Sequence, residues 1–440
     1  MKVAISLHIM DEKEIRENVR KLMYANLREG YSPLLKDYYC YVQPSPEKYP
    51  FQWFWDTFFH IFILCALKEF ELAKKNLKSL FAMQEEDGFV GHMIYWKSVL
   101  PPSPWQVLES HPTLQQFRPH MSAMIQPTFA AQCLERIYQD TLDKEYVNEM
   151  LPKIQRYHEW LIVERCYEED GLIFIISPFE SGLDEKPSYD SLIGSRPKKG
   201  SLRQYLQLMK IESGNFFRRY NLPKIYRSGK FIVKDVAMNT IYALDLFALS
   251  RVCKLTGNDV DALRFDKLGK KVSDSIFRLM YNEEDLAFYD LAGHKNQQLK
   301  SLTFTIFFPI VLPSVPTEIS NKIVEKHLLN KNEFDLPFPI PSIAKSEKIF
   351  NPSNAESWFF DFLWRGPTWA MQNWFFYKYF FMNGHQDFAD RLLTSLKKLI
   401  QLSGFREYYN PFTGQGYGAK HFTWSGLVVD MMNTRDNSSN

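Results

Sequence analysis

Four short stretches of the sequence set acids or an arginine among aromatic rings, a combination suited to sugar chemistry. The first is Tyr49-Pro50-Phe51-Gln52-Trp53-Phe54-Trp55-Asp56, at the start of an apolar helix. Asp56 there either accepts backbone N–H groups as a helix cap or binds two sugar hydroxyls beside the rings of Tyr49, Trp53 and Trp55. The second is Ser177-Pro178-Phe179-Glu180-Ser181-Gly182-Leu183-Asp184, after an apolar run (Leu172–Ile176) that reads as a short strand. Burial could hold one of its two acids neutral as a proton donor; an exposed acidic turn is the plainer alternative, since Glu185 and Lys186 follow. The third, Trp364-Arg365-Gly366-Pro367-Thr368-Trp369, puts proline at the first turn of a helix. Arg365 would orient a carboxylate, bind substrate, or serve a capped helix with buried tryptophans. The fourth, Gly404-Phe405-Arg406-Glu407-Tyr408-Tyr409-Asn410-Pro411, frames an acid with aromatics in a loop between apolar helices. Glu407 there either braces the loop through an arginine or takes part in catalysis. Two carboxylates flanking a sugar ring with aromatic walls form the constellation for glycoside hydrolysis.

These motifs sit at the starts of helices, and helical periodicity dominates the chain. It predicts helices over Asp11–Glu29, Trp55–Lys68, Glu71–Gln84, Pro127–Thr141, Lys144–Cys166, Leu202–Tyr220 and Asp235–Thr256. Six more follow over Asn258–Tyr281, Thr303–Leu312, Thr317–Leu329, Pro367–Asn383, His385–Ser403 and Thr423–Met432. Pro152 and Gly214 are placed to kink or split two of them. Gly257 and Asn383-Gly384 read as stops, with Asn258 capping the next helix. Very apolar helices alternate with amphipathic ones, as two concentric rings require: buried helices inside, half-wet ones outside. Six such hairpins make an all-α (α/α)6 barrel. A helical solenoid is the rival, but no motif repeats at a fixed period. Long connections cover Tyr39–Tyr49, Lys97–Gln126, Ile175–Gly200 and Asn332–Ser357, and loops of that length usually carry function. With no Gly/Ser linker, residues 1–440 are expected to form one domain with a loop excursion at about 332–357.

Composition narrows the class further. In 440 residues, Lys+Arg 53 against Asp+Glu 51 gives a net charge of +2 without a basic arm, which argues against nucleic acid or an anionic membrane as partner. The strongly apolar run Phe58–Leu67 is too short to span a bilayer. The N-terminus makes a poor secretory signal, so a cytoplasmic location is expected. Five cysteines without CxxC spacing indicate neither a zinc site nor a disulfide framework. No metal-ligand spacing is visible, and hydrolysis of this type needs no redox cofactor. Aromatic residues make up 16%, more than the core needs, and the informative ones lie beside the acids.

Taken in order, W-x-W-D, Q-P, E-S-G-x-D, W-R-G-P-x-W and F-x-E-Y-Y-N-P-x-T-G resemble glycoside hydrolase family 63, particularly its compact mannosylglycerate and glucosylglycerate hydrolases. The resemblance runs from about Tyr49 to Asp430 and implies an (α/α)6 barrel, in agreement with the periodicity. It implies an inverting α-glycosidase acting on a small glycoside, with Asp184 as general acid and Glu407 as general base. It further implies that Tyr49, Trp53, Trp55, Asp56, Gln126, Gly182, Trp364 and Trp369 line the sugar subsite. The chain departs from the pattern at Phe179 and Tyr189, where the family often has Trp, at Leu363, where an aromatic is usual, and at Glu185-Lys186. A glycerate leaving group would ask for a guanidinium from Arg218, Arg219 or Arg365, with His92 as an additional donor or a structural histidine. An oligosaccharide or trehalose-like substrate is the runner-up. A sugar epimerase or an inactive carbohydrate-binding barrel are the rivals from other classes.

Overall fold

The computed structural model describes residues 10–96, 120–194, 202–353 and 364–438. Leu363 and parts of three long connections therefore lie outside the described residues. Six helical hairpins close a ring. Their inner members are α2 (Phe54–Ala66), α4 (Ala130–Thr141), α9 (Val236–Leu255), a 3-10 segment (Phe304–Val311), α12 (Ala370–Met382) and α14 (Val428–Ser438) with its 3-10 lead-in Thr423–Leu427. Each inner member packs on the next, and α14 returns to α2. The outer members are α3 (Phe70–Ala82), α5 (Lys144–Arg165), α10 (Asp259–Met280), α11 (Thr317–Ile323), α13 (Gln386–Ser403) and α1 (Glu12–Ala25). α1 pairs with the last inner segment, so the two ends of the chain seal the barrel.

Apolar patterning explains which helix takes which ring. In α2 every residue but Phe62 is buried, whereas α3 buries a stripe that includes Ala73, Leu77, Leu80 and Phe81. Each such leucine is worth roughly 1.5–3 kcal/mol on burial. α9 is the one described helix long and apolar enough to cross a membrane, and 78% of its apolar window is buried inside the barrel. The fourth inner segment winds as a 3-10 helix and carries Pro309, which has no N–H to continue an α-helical ladder. Pro152 does not split α5, and α7 (Leu202–Phe217) runs through Gly214. Gly257 and Gly384 stop their helices with φ of +79° and +83°, and the Asn258 side chain accepts from Asp261 N.

Local departures from the periodicity have physical causes. The helix expected over Asp11–Glu29 stops at Ala25, and Leu27–Ser32 (β1) pairs antiparallel with Asp37–Val42 (β2). The last four residues of Asp-Tyr-Tyr-Cys-Tyr-Val are all buried, and Ser79 and Asn76 of α3 satisfy the N–H groups of Cys40 and Val42. The run Leu172–Ile176 forms only a bridge from Ile175 to Val233. The stretch 336–344 is tucked against the barrel end, with Phe338, Ile340 and Ile343 buried and Thr368 Oγ1 donating to the carbonyls of Pro339 and Ile340.

Because every hairpin runs out and back, the N-terminal ends of the inner segments meet at one mouth. Trp55, Gln126, Trp369 and Trp424 all lie at or just before those ends.

Candidate active site

Glu407 lies on a strand, β3 (Arg406–Tyr409), and not in the open loop expected. β3 pairs with β4 (Gly416–Lys420), and a register shift at Glu407 sets Gly418 and Ala419 opposite it. Gly418 has φ +65°, and a Cβ there would come within 2.4 Å of Glu407 Oε2. This bulge turns the Ala419 N–H onto Oε2 at 2.7 Å. Tyr49 O–H donates to Oε1 at 2.7 Å, and Lys48 Nζ lies 3.3 Å from Oε2. With its side chain 1% exposed, Glu407 is a carboxylate fixed by three donors.

The E-S-G-x-D segment separates its two acids completely. Glu180 is buried and accepts both terminal nitrogens of Arg165, at 2.8 and 2.5 Å, with the N–H groups of Ile125 and Ile176. It is a brace. Ser177 caps the 3-10 turn Pro178–Ser181, and Gly182 ends it at φ +69°. A Cβ on Gly182 would meet the Trp55 ring at 2.5 Å, so only glycine lets this turn cross the tryptophan so closely. Asp184 follows, half-buried, and is bonded to neither Arg165 nor Arg365. Crowding by protein pushes its carboxyl up to about 7; Lys48 opposes the rise and Glu407 adds to it. Among the described residues no hydrogen bond joins Asp184 to Glu407, although Asp184 feels the charge of Glu407.

Downstream of Asp184 the chain is tied again. Buried Lys186 bridges Asp235 and Asp290, while Ser188 and Tyr189 donate to Asp290 and Asp235 at 2.6 Å. Asp190 takes both terminal nitrogens of Arg365 at 2.5 and 2.7 Å. Arg365, expected at the substrate, has its guanidinium buried and bonded to Asp190.

Asp56 lies in the first turn of α2, whose N-cap is Trp53. Trp424 Nε1 donates to its Oδ1 at 2.7 Å, and burial pushes its carboxyl up to about 8. Gln126 Oε1 accepts the Trp55 N–H at 3.2 Å, so it positions the tryptophan backbone. Tyr49 and Trp53 meet edge to face at 5.6 Å. Among the described residues the buried Trp53 Nε1–H has no hydrogen-bond partner. Trp369 packs against Tyr408 and Trp424 at 5.0 and 5.7 Å. Trp364 is drawn into the wall, stacked on Trp369 at 4.0 Å and near-parallel to Phe304. His92 is buried: its Nδ1 meets Ser122 Oγ at 2.5 Å, and burial brings its pKa down to about 3. Arg218 bonds the Gly214 carbonyl at 2.7 Å, and Arg219 is exposed.

Lys48 and Glu212 were not picked out by residue type and spacing. Glu212 is fully buried on α7, bonded to Ser177, and pushed up to about 8 by burial. Lys48 adjoins the first motif, and that adjacency is the only signal that could have found it. Glu212 sits in an ordinary amphipathic helix and gave none.

A barrel of paired helices whose mouth gathers two separately held acids and a ring of tryptophans belongs to the carbohydrate-cleaving class. Residues 49–425 match the mannosylglycerate hydrolase MGH1-like glycoside hydrolase domain, and the chain belongs to that family of glycoside hydrolases. It is 26% identical to a mannosylglycerate hydrolase of Thermus thermophilus over 89% of this chain and 96% of that protein. A glucosylglycerate hydrolase of Mycolicibacterium hassiacum is 23% identical, covering 88% and 92%. In structure, the chain resembles a family 63 mannosylglycerate hydrolase of Thermus thermophilus solved in complex with Tris and D-glycerate. The TM-score is 0.81 at 22% identity, over 95% of this chain and 100% of that one.

Proposed function

We propose that this glycoside hydrolase is an inverting α-glycosidase whose substrate is a small glycoside of glycerate, mannosylglycerate or glucosylglycerate. The observation that carries the reading is the division of labour between two acids. Asp184 is half-buried, bonded to no arginine among the described residues and pushed up to about 7, so it holds a proton near neutral pH. Glu407 is gripped by O–H and N–H donors that favour its oxygens as acceptors. Asp184 donates its proton to the glycosidic oxygen as the bond breaks. Glu407 takes a proton from the water that attacks the anomeric carbon on the opposite face. A separation of roughly 6.5–9.5 Å leaves room for that water. Trp53 Nε1–H supplies a donor that a sugar hydroxyl would satisfy. The names of the relatives support glycerate as the leaving group. Five unpaired cysteines suit a reducing, cytoplasmic setting.

A panel of mannosylglycerate, glucosylglycerate, trehalose and α-linked oligosaccharides tests the substrate. Release of glycerate with free sugar is expected. Cleavage of trehalose or oligosaccharides alone would transfer the assignment to the disaccharide class. Binding without turnover, or an epimerised free sugar, would overturn it.

A further inference from the structure

Among the described residues, the arginines beside these motifs bond to other groups. Arg165 is held by Glu180 and Arg365 by Asp190. Arg406, next to Glu407 in sequence, sends Nη2 to the Gly418 carbonyl at 3.2 Å. Lys48 comes from the loop before α2, its ammonium 3.3 Å from Glu407 Oε2 and 5.3 Å from the centre of the Tyr49 ring. Its charge also reaches Asp184. Lys48 meets Glu407 and the Tyr49 ring and acts on Asp184, while Glu407 in turn acts on Tyr49, Asp56 and Asp184, and Tyr408 acts on Tyr49.

We infer that Lys48 is the counter-ion of the Asp184–Glu407 pair, a positioning residue that tethers the Glu407 carboxylate and sets the charge balance seen by Asp184. The inference rests on the roles given to those two acids above. Burial disfavours Asp56 and Asp184 as anions, and Glu407 adds to the rise of both. An ammonium within reach of Glu407 and Asp184 offsets that repulsion. The Lys48 side chain is 42% exposed, so water screens it and the effect is smaller than for a buried pair.

Two readouts in Lys48→Met and Lys48→Arg test this. In the Met variant the alkaline limb of kcat/KM should move up by about 0.5–1 pH unit, because Asp184 keeps its proton longer. kcat at neutral pH should fall several-fold with little change in KM, and Lys48→Arg should restore both. The second readout is a carboxyl 13C titration of Asp184, which should move up by the same amount and needs no substrate. An unmoved limb with an unmoved titration, or a change in KM alone, would overturn the inference while leaving the hydrolase assignment intact. If wild type cleaves no glycoside, the assignment fails and the titration still decides the role of Lys48.

Discussion

Glu407→Gln is expected to lower turnover roughly 10²–10⁴-fold while the protein stays folded. The amide has the size of the acid but cannot take a proton from water, and its N–H group faces donors at Tyr49 and Ala419. Asp184→Asn should cost a similar factor by removing the proton given to the leaving oxygen. Its effect on stability carries a sign. The folded carboxyl sits near 7 against an ordinary 3.8, so the native state binds more protons than the unfolded chain between about pH 4 and 7. Stability from this group therefore falls as pH rises through that window. The asparagine variant escapes that loss. Its melting temperature should match wild type near pH 4 and exceed it at pH 8, when activity is already gone. Wild-type activity should decline as pH passes about 7 and Asp184 gives up its proton. Steady-state kinetics with thermal melts at both pH values check all three statements.

Glu180→Gln should do the opposite. It removes the charge from a buried pair and leaves the Arg165 guanidinium with the Phe174 carbonyl at 3.3 Å and the faces of Trp160 and Phe174. Breaking such a pair costs about 3–5 kcal/mol. The amide also weakens the acceptors for Ile125 and Ile176 N–H, which fix the turn carrying Gly182 and Asp184. Urea titration should show the loss in full. A Glu180→Gln protein of unchanged stability but without turnover would instead make Glu180 the acid.

Much of this site is legible in the sequence because its parts are local. The inner and outer helices announce themselves through apolar content, as in α2 against α3. Asp56, Asp184 and Glu407 stand out because aromatics or glycine adjoin them, and the structure gathers all three at the barrel mouth. What sequence could not distinguish is which acid meets an arginine. Arg165 with Glu180, and Arg365 with Asp190, are pairings made by tertiary folding, the second across 175 positions. Residue type therefore suggested a substrate-binding Arg365 where packing uses it as a strut. Trp364 poses the same difficulty: a tryptophan in a motif reads alike whether it faces a ligand or, as here, stacks on a second indole. The β1–β2 hairpin escaped notice because Arg28 and Glu29 continue the charged pattern of α1. The strand bearing Glu407 escaped because its bulge breaks simple alternation.

The measurement that bears most directly on opposed acid and base is the stereochemistry of the first product. Proton NMR during early turnover of mannosylglycerate should show β-mannose first, with the α form rising only as mutarotation proceeds. Initial release of α-mannose would mean that a carboxylate attacks the sugar itself, and would contradict the two-sided arrangement of Asp184 and Glu407.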